Sequence, residues 1–256
     1  MKLLVLAGTQ DGRELGEQLY KAGYEVVLST LTAYGADLAQ AQGLSARFGA
    51  FSRESLRLFL EQESIGAVVD ATHPYAQVIQ ELAHAVCTER SLPYVRWERP
   101  GVSFQEHPLV HWARDLTEAG ATAAALGQRI LLTTGSNSLP EWLNMQCLRD
   151  KTLFVRVLPT ASVLACCESL GLKPRQIIAA QGPFSKACNN ALFEQLQAEV
   201  VIAKDSGLTG GTTEKIEACL ETGIPIILLK RPNPLGEHAD ILEFVNKLEE
   251  KLCQLK

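Results

Sequence analysis

The sequence lacks long apolar runs, Cys-x-x-Cys pairs and an excess of basic residues. No apolar stretch reaches the roughly 18 consecutive residues that a membrane-spanning helix needs. The seven cysteines are odd in number and never occur as Cys-x-x-Cys, so neither a zinc site nor a dithiol redox site is indicated. Lys and Arg number 24 against 29 Asp and Glu, a net charge of −5, which does not favour nucleic-acid binding. We therefore expect no membrane, nucleic-acid or metal partner.

The apolar start of the chain is too short to be a secretory signal. The run from Leu3 to Ala7 is followed at once by Asp11, Arg13 and Glu14. A signal peptide has a longer apolar core before its cleavage site. The segment predicts a first β-strand instead, and the expected location is the cytoplasm.

The chain contains a regular alternation of apolar strands and amphipathic helices. Apolar residues make up 46% of the chain and charged residues 21%, as is usual for a globular protein. The predicted strands are Leu3–Ala7, Glu25–Ser29, Ala46–Ala50, Ala67–Asp70, Tyr94–Arg96, Val110–Trp112, Arg129–Thr133, Thr152–Leu158, Gln176–Ala180, Val200–Ala203 and Ile226–Leu229. Helical segments separate most of them. This alternation predicts an α/β fold with mostly parallel sheets.

The motif Arg99-Pro100-Gly101 interrupts the alternation and divides the chain into two predicted domains. We expect residues 1–100 to form a nucleotide-binding α/β domain and residues 101–256 to form a second α/β domain. Both are expected to be Rossmann-like. Within the first, Pro74 is predicted to begin a helix that ends near Glu89, because its missing N–H is not needed in a first helical turn.

The most informative polar segment is Asp70-Ala71-Thr72-His73-Pro74-Tyr75-Ala76, directly after an apolar strand. In open α/β sheets, ligands bind beyond the carboxyl ends of the strands. Asp70, Thr72, His73 and Tyr75 are therefore expected to line a site. Asp70 and His73 are candidate proton donors.

Glycine-containing turns follow one strand in each half of the chain. The residues concerned are Gly8, Thr9, Gly12 and Arg13 in the first half, and Thr134, Gly135 and Ser136 in the second. A backbone without Cβ atoms lets a ligand approach, and helix N–H groups with a hydroxyl suit a phosphate. The spacing is Gly-x-x-x-Gly and not Gly-x-Gly-x-x-Gly, so a turn that needs glycine only for its backbone angles is the alternative.

The end of the second predicted strand bears on the choice of nucleotide. An NAD site usually has an acidic residue there for the ribose hydroxyls. Here Ser29, Thr30 and Thr32 precede the first acid, Asp37. Hydroxyls suit a 2′-phosphate, which favours NADPH with NADH as the alternative, although no Arg lies in the segment. Thr30 and Thr32 would otherwise be ordinary strand-end residues.

Cationic residues follow three strands of the second half. They are Arg156, Lys204 and Arg231, and Ser206 lies beside the second of them. Together they would form a cationic lining in an acidic protein, suited to a polycarboxylate substrate. The alternative for Lys204 and its neighbour Asp205 is a simple helix cap.

These motifs, in this order, resemble those of the precorrin-6A reductase family. The resemblance rests on the segments 8–13, 70–76, 99–101, 133–136, 156–159, 181–185, 204–207 and Arg231-Pro232. It implies reduction of precorrin-6A, or of its cobalt-bearing counterpart, to the dihydro product precorrin-6B in cobalamin biosynthesis. It also implies a nicotinamide nucleotide and a tetrapyrrole bound in the cleft between two α/β domains, with transient contacts to other enzymes of the pathway.

The resemblance suggests a role for each candidate residue. Asp70, His73, Tyr75 and Lys204 are the expected catalytic residues. The expected cofactor-binding residues are Gly8, Thr9, Gly12, Arg13, Thr30, Thr72, Thr134, Gly135 and Ser136. The expected substrate-binding residues are Arg156, Lys204, Ser206 and Arg231. Gln10, Asp11 and Asn137 depart from the family pattern. A non-catalytic NADPH sensor and a methyltransferase of the same pathway are the alternative functions.

Overall fold

The chain forms two compact units, each built around a parallel sheet. The computed structural model describes residues 1–99, 101–102, 106–207, 210–232 and 240–254. The first unit comprises Met1–Pro100 with Pro232–Lys256, and the second comprises Gly101–Arg231. Pro100, in the motif that marked the predicted break, lies outside the described residues. The predicted α/β fold with mostly parallel sheets is confirmed.

The first unit has a five-stranded parallel sheet in the order β3-β2-β1-β4-β5. Its elements are β1 (Lys2–Ala7), α1 (Gln10–Lys21), β2 (Glu25–Thr30), α2 (Ala33–Ala41), β3 (Ser45–Phe48), α3 (Arg53–Gln62), β4 (Ala67–Ala71), α4 (Gln77–Glu89) and β5 (Tyr94–Arg96). Successive strands are added on one side of β1 as far as β3 and on the other side from β4. The strand order therefore reverses between β1 and β4, where open α/β sheets bind their ligands.

The second unit has a six-stranded parallel sheet in the order β6-β11-β10-β7-β8-β9. Its elements are β6 (Val110–Ala113), α5 (Leu116–Leu126), β7 (Arg129–Leu132), α6 (Leu139–Asn144), β8 (Thr152–Val157), α7 (Ala161–Ser169), β9 (Ile177–Ala179), α8 (Lys186–Leu196), β10 (Val200–Lys204), α9 (Thr212–Thr222) and β11 (Ile226–Leu229). Here the order reverses between β7 and β10.

The central strands are apolar on both faces because helices cover both sides of each sheet. In β1, Leu3 and Val5 belong to the core that includes Leu15 of α1, whereas Leu4 and Leu6 belong to a second core with Leu56 of α3. Alternation of polar and apolar residues is consequently absent from this strand. Burial on both faces is typical of parallel sheets.

The final helix, α10 (Ile241–Gln254), packs on the first unit. Its residues Phe244, Leu248 and Leu252 are buried in the core that contains Leu15 and Leu19 of α1. The predicted domain limits placed this helix with the second half. The four-residue spacing of its apolar side chains indicates an apolar face but does not specify which sheet covers it.

Helix α4 begins later than the sequence predicts. Residues 74–75 form a turn, and the helix starts at Gln77 after Ala76. The Ala76 N–H donates to the His73 carbonyl at 2.8 Å, which closes this turn. Pro74 is therefore a turn residue, and the loop after β4 is correspondingly longer.

Candidate active site

Two polar loops of the first unit meet at the reversal of strand order. In the register of the sheet, Ala7 at the end of β1 pairs with Ala71 at the end of β4. The loop that contains Gly8 and Thr9 and the loop that begins at Thr72 follow these neighbouring strand ends. The fold thus brings together the two motifs that the sequence offered as nucleotide-binding and catalytic segments.

Gly8 and Gly12 differ in what surrounds them. A Cβ atom on Gly12 would lie 2.9 Å from the Ala7 Cβ and 3.1 Å from the Ala71 carbonyl oxygen. A Cβ atom on Gly8 would have no atom within 4 Å, and the residue lacks the positive φ that demands glycine. Gly12 is therefore required for close packing of α1 on the strand ends. Gly8 leaves an exposed backbone open to a ligand.

The N-terminus of α1 is capped and held in place by side chains. The Thr9 hydroxyl oxygen accepts from the Gly12 N–H at 3.2 Å, and the hydroxyl hydrogen remains available as a donor. Asp11 is buried and pairs with Arg99 at 2.7 Å. Arg13 contacts the Thr9 carbonyl at 3.4 Å. Asp11 and Arg99, which the sequence gave only as parts of motifs, thus anchor this helix end to the residues that follow β5.

Asp70 lies at the centre of a buried hydrogen-bond network. Its Oδ1 accepts from the Thr72 N–H at 2.9 Å and from the Thr72 hydroxyl at 2.7 Å, and its Oδ2 accepts from the Tyr94 hydroxyl. Gln80 donates to the Thr72 hydroxyl at 3.2 Å and to the His73 carbonyl at 3.0 Å. Burial raises the pKa of Tyr94, with a further contribution from the Asp70 charge. A fully buried carboxylate with both oxygens engaged is suited to holding the loop, and direct proton transfer from it to a substrate is not favoured.

His73 and Tyr75 are half-buried on the loop that this network fixes. The Tyr75 N–H donates to the His73 Nδ1 at 3.3 Å, and the two rings lie 5.5 Å apart between centroids. Because Nδ1 accepts a hydrogen bond, the neutral imidazole carries its hydrogen on Nε2. The hydrogen bond to Nδ1 thereby orients the His73 ring on the loop.

Thr30 does not present its hydroxyl to a ligand. The side chain is buried at the end of β2, and its hydroxyl donates to the Thr32 carbonyl at 2.9 Å. Thr32 in turn caps α2 by accepting from Gly35 N–H. The predicted role of Thr30 in nucleotide binding is therefore not favoured, because its hydroxyl has an internal partner.

Arg47 is a residue at the same strand end that the sequence reasoning missed. It lies opposite Ser29 in the register of β2 and β3, and its guanidinium donates to the Ser29 hydroxyl at 2.9 Å and to the carbonyls of Phe48 and Gly49 at 2.9 and 3.0 Å. The guanidinium also lies 3.9 Å from the centre of the Phe51 ring. Burial lowers the pKa of Arg47. Only strand pairing brings this residue to the segment, so inspection of residues 28–32 alone could not identify it.

In the second unit, the ends of β7 and β10 are neighbours at the reversal of strand order. The Thr133 N–H donates to the Ile202 carbonyl at 2.8 Å. Gly135 has a φ of +80°, a left-handed conformation that favours glycine. Thr134 is buried, and its hydroxyl accepts from the Trp142 indole N–H at 3.0 Å. The backbone-angle explanation therefore holds for Gly135, and the Thr134 hydroxyl has an internal partner, whereas Ser136 is half-buried.

The polar residues after β10 have different environments. Burial lowers the pKa of Lys204, and Glu141 opposes this effect. The Ser206 N–H donates to the Thr212 hydroxyl at 3.1 Å. Arg231 and Asp205 are buried as an ion pair, with Nε 3.2 Å from Oδ2. Because β7 and β10 are neighbouring parallel strands, Lys204 at the end of β10 lies on the same sheet edge as Ser136. Ligand binding by Arg231 is not favoured, because the buried carboxylate of Asp205 compensates its charge.

Arg156 at the end of β8 is buried, and the same unit buries a second cation, Lys215 of α9. The Arg156 guanidinium donates to Asn189 Oδ1 at 2.7 Å and lies 4.3 Å from the centre of the Phe184 ring. Burial, with a smaller contribution from the charge of Arg156, lowers the pKa of Lys215 to about 8. Sequence reasoning missed Lys215. A signal was present, because Lys215 occupies the apolar stripe of α9 together with Ile216 and Cys219.

The described residues offer no metal-binding cluster and no membrane-spanning helix. Within residues 1–99, 101–102, 106–207, 210–232 and 240–254, His, Cys, Asp and Glu form no group of three or more that could hold a metal ion. No described helix is both long enough and apolar enough to cross a membrane.

Comparison with known proteins identifies the family. The model of the family "Precorrin-6x reductase CbiJ/CobK" matches residues 2–253. A cobalt-precorrin-6A reductase of Salmonella typhimurium is 38% identical, covering 99% of this chain and 98% of the relative. One from Priestia megaterium is 35% identical, covering 90% of each. The solved structure of a CobK precorrin-6A reductase superposes with a TM-score of 0.76 at 26% identity, covering 98% of this chain and 97% of that chain. The predicted resemblance is confirmed, and the chain belongs to the precorrin-6x reductase CbiJ/CobK family.

Proposed function

We propose that this protein reduces cobalt-precorrin-6A with NADPH as the reductant. Membership of the family makes it an oxidoreductase of cobalamin biosynthesis that acts on a precorrin-6-type tetrapyrrole. The cobalt-bearing substrate is favoured because the relatives at 38% and 35% identity are named cobalt-precorrin-6A reductases. The solved structure named precorrin-6A reductase is 26% identical.

The observation that carries the proposal is the open backbone at Gly8. This residue lies where the strand order reverses, beside the capped N-terminus of α1, and no atom occupies the space that a Cβ would take. Such a site fits the pyrophosphate of a dinucleotide, since free N–H groups and the helix dipole favour negative charge. Gly8, Thr9 and the first N–H groups of α1 would hold the nucleotide. When bound, the nicotinamide supplies the hydride that reduces the tetrapyrrole.

The preference for NADPH follows from the residues at the end of β2. This strand end has Ser29 and Thr30 where an NAD site usually has an acid. Arg47 adds a guanidinium on the neighbouring strand, bonded to Ser29. A 2′-phosphate is a bidentate acceptor that suits an arginine. Arg47 would hold this phosphate, which NADH lacks, with the N–H groups that its bonds to Ser29, Phe48 and Gly49 leave over.

The remaining candidate residues hold the loop after β4 and bind the substrate. Asp70 fixes Thr72, and Gln80 fixes the His73 carbonyl, so the imidazole is presented by a rigid loop. His73 is the residue of this loop that would contact a polar group of the ligand. In the second unit, Lys204 and Arg156 are the cations suited to substrate carboxylates.

The function is tested by following nucleotide oxidation with purified protein. Cobalt-precorrin-6A and precorrin-6A are each combined with NADPH and with NADH. We expect the highest kcat/KM for cobalt-precorrin-6A with NADPH, and deuterium from C4-deuterated nucleotide in the product. Nucleotide binding without turnover of either tetrapyrrole would instead indicate an NADPH sensor. Methyl transfer from S-adenosylmethionine would indicate a methyltransferase.

The choice of nucleotide is tested with Arg47→Met and a matched control. We expect this variant to raise the KM for NADPH about tenfold or more, the loss of one charge-assisted contact, with little change for NADH. Arg53→Met removes an exposed arginine of the same unit and should change neither value. Equal effects on both nucleotides would contradict a 2′-phosphate contact at Arg47.

A further inference from the structure

The first unit buries a carboxylate that is surrounded by neutral donors. Asp70, near the end of β4, is 0% exposed. Its oxygens accept three hydrogen bonds, from the Thr72 N–H, the Thr72 hydroxyl and the Tyr94 hydroxyl. Because all three partners donate, the network fits the ionised carboxylate, which only accepts. In the part of the chain that the structure describes, Asp70 forms no ion pair with Lys, Arg or His.

The arginines in β5 and after it are paired with other acids. Arg96 lies opposite Asp70 in the register of β4 and β5, but its guanidinium donates to Glu98 at 3.0 Å. Arg99 pairs with Asp11 at 2.7 Å. Two arginines thus stand against three carboxylates, so one negative charge remains. The neutral donors around Asp70 stabilise this charge without cancelling it.

The order of the strands indicates which part of a bound dinucleotide this charge would face. The order is β3-β2-β1-β4-β5. Arg47, proposed for the 2′-phosphate, lies on β3, and Gly8, proposed for the pyrophosphate, follows β1. Neighbouring strands are about 5 Å apart, so a dinucleotide that extends from β3 past β1 continues to the end of β4. Its nicotinamide half would then lie at the loop that follows Asp70.

We infer that the buried charge of Asp70 favours the oxidised nucleotide in this site and so makes bound NADPH a stronger reductant. The inference rests on the proposed function for the identity of the nucleotide. Transfer of the hydride to the tetrapyrrole leaves the nicotinamide as a pyridinium with one positive charge. A fixed negative charge in a site of low dielectric constant stabilises this product and the positive charge that develops on the way to it. Asp70 acts through its field, since its own oxygens are engaged within the protein.

Holding the loop does not by itself require a charge at this position. Thr72 and Tyr94 are neutral partners, and an asparagine would offer an acceptor to the first and an amide to the second. A neutral side chain would also avoid the free-energy cost of removing a charge from water. The carboxylate is therefore explained better by its charge than by its hydrogen bonds.

The first test measures the dissociation constants of NADP⁺ and NADPH for the wild type, Asp70→Asn and Glu81→Gln. Asp70→Asn removes the charge and keeps the shape of the side chain. Glu81 is exposed on α4 of the same unit, so Glu81→Gln removes a charge that water screens. We expect Asp70→Asn to weaken NADP⁺ relative to NADPH about fourfold, as for unit charges roughly 10 Å apart at an effective dielectric constant of about 40. Glu81→Gln should keep the wild-type ratio, and an unchanged ratio in folded Asp70→Asn would overturn the inference.

Two further measurements separate the charge from the shape of the loop. Tyr94→Phe removes one donor and keeps the charge of Asp70, so the ratio of the two constants should stay as in the wild type. 2′-Phospho-ADP-ribose, which lacks the nicotinamide, should bind equally to the wild type and to Asp70→Asn. An equal shift of the ratio in Tyr94→Phe and Asp70→Asn would assign the effect to the loop and overturn the inference. Equal weakening of NADP⁺ and 2′-phospho-ADP-ribose in Asp70→Asn would also overturn it.

The wild-type protein gives a test that does not depend on the folding of a variant. NADP⁺ should bind to it more tightly than NADPH, which makes the potential of the bound couple more negative than that of the free couple. Tighter binding of NADPH would overturn the inference. No tetrapyrrole enters these experiments, so a protein that binds both nucleotides but reduces neither tetrapyrrole would fail the proposed function alone. Absence of binding by both nucleotides would overturn the proposed function and this inference together.

Discussion

Gly8 and Gly12 lie four residues apart and meet different steric demands. Gly8→Ala places a methyl group in open space at an unstrained φ, so we expect stability within about 0.5 kcal/mol of wild type. The same methyl group would obstruct a ligand at the exposed backbone and weaken NADPH binding about tenfold or more. Thermal unfolding and a fluorescence titration with NADPH measure the two effects.

Gly12→Ala is the matched control for this prediction. Its new Cβ would meet the Ala7 Cβ and the Ala71 carbonyl, so we expect a loss of about 1–3 kcal/mol in unfolding free energy. If Gly8→Ala binds NADPH as tightly as wild type, the exposed backbone is not the nucleotide site.

Asp70 is expected to act by positioning the loop after β4. Asp70→Asn keeps an acceptor for Thr72 and can still bond to the Tyr94 hydroxyl, so the variant should fold and retain turnover within about tenfold. The pH profile of kcat should keep its shape. Asp70→Ala leaves Thr72 and Tyr94 without their acceptor and should cost about 2–5 kcal/mol of stability. Abolished turnover in a well-folded Asp70→Asn variant would identify the carboxyl group as the proton donor instead.

At the residue scale, the sequence offered candidate site residues wherever a motif was contiguous. The polar segment after Ala67–Ala71 and the turn at Gly8 were found because each lies within a few residues of a strand end. Arg47 and Lys215 were missed because no contiguous motif contains them. The register of β2 and β3 brings Arg47 beside Ser29, and the apolar face of α9 buries Lys215. Arg231 was given a ligand role because its partner Asp205, which lies far away in sequence, could not be foreseen.

At the scale of elements, strands were more predictable than helix starts. Apolar runs such as Ile226–Leu229 and Tyr94–Arg96 were predicted with their observed limits, since burial on both faces leaves a continuous apolar signal. Helix α2 was not predicted, although Thr32 provides its cap. Pro74 suggested an early start for α4, but the hydrogen bonds around Asp70 hold that segment as a turn. Local hydrogen bonds of side chains leave no periodic pattern in the sequence, so the start of α4 could not be predicted from it.

Helix α10 is expected to contribute substantially to the stability of the first unit. Leu248 is fully buried in the core that also contains Trp97. Leu248→Ala should lower the unfolding free energy of this unit by about 2–5 kcal/mol, as in other buried leucine truncations. Leu242→Ala on the same helix, where the side chain is 58% exposed, should change it by less than about 0.5 kcal/mol. Urea unfolding followed by tryptophan fluorescence, to which Trp97 contributes the signal of this core, distinguishes the two variants. Equal effects would contradict the packing of α10 on this core.

At the scale of the whole molecule, the two units have a glycine-containing turn at the same position in their sheets. In each unit a turn containing a glycine, Gly8 or Gly135, and a polar segment follow neighbouring strands where the strand order reverses. The sequence predicted both sheets because the alternation of strands and helices runs along the entire chain. It did not reveal that the chain returns to the first unit at its end, because apolar periodicity specifies burial and not the partner.

The stability of the whole chain should depend on pH in a manner traceable to Lys215. Its pKa is about 8 in the folded protein against 10.5 ordinarily, so the unfolded state binds more protons between these values. Unfolding free energy should therefore rise with pH, and linkage gives a gain of about 1 kcal/mol between pH 7 and pH 9. Burial raises the pKa of Cys87 and Cys219 from 9.0 to about 12, so these two thiols oppose the trend from about pH 8 upward, and only a comparison between variants isolates the contribution of Lys215.

Comparison with Lys215→Met isolates this effect from all other titrations. Urea unfolding at pH 7 and at pH 9 gives two free energies for each protein, and titrations common to both cancel in the difference. The wild-type protein should gain about 1 kcal/mol relative to Lys215→Met over this interval, whereas Lys186→Met, which replaces an exposed lysine of the same unit, should follow the wild type. If wild type and Lys215→Met change in parallel, Lys215 keeps its ordinary pKa in the folded protein. A gain in the wild type and in Lys186→Met, but not in Lys215→Met, would establish that burial of the charged Lys215 lowers the stability of the folded protein at neutral pH.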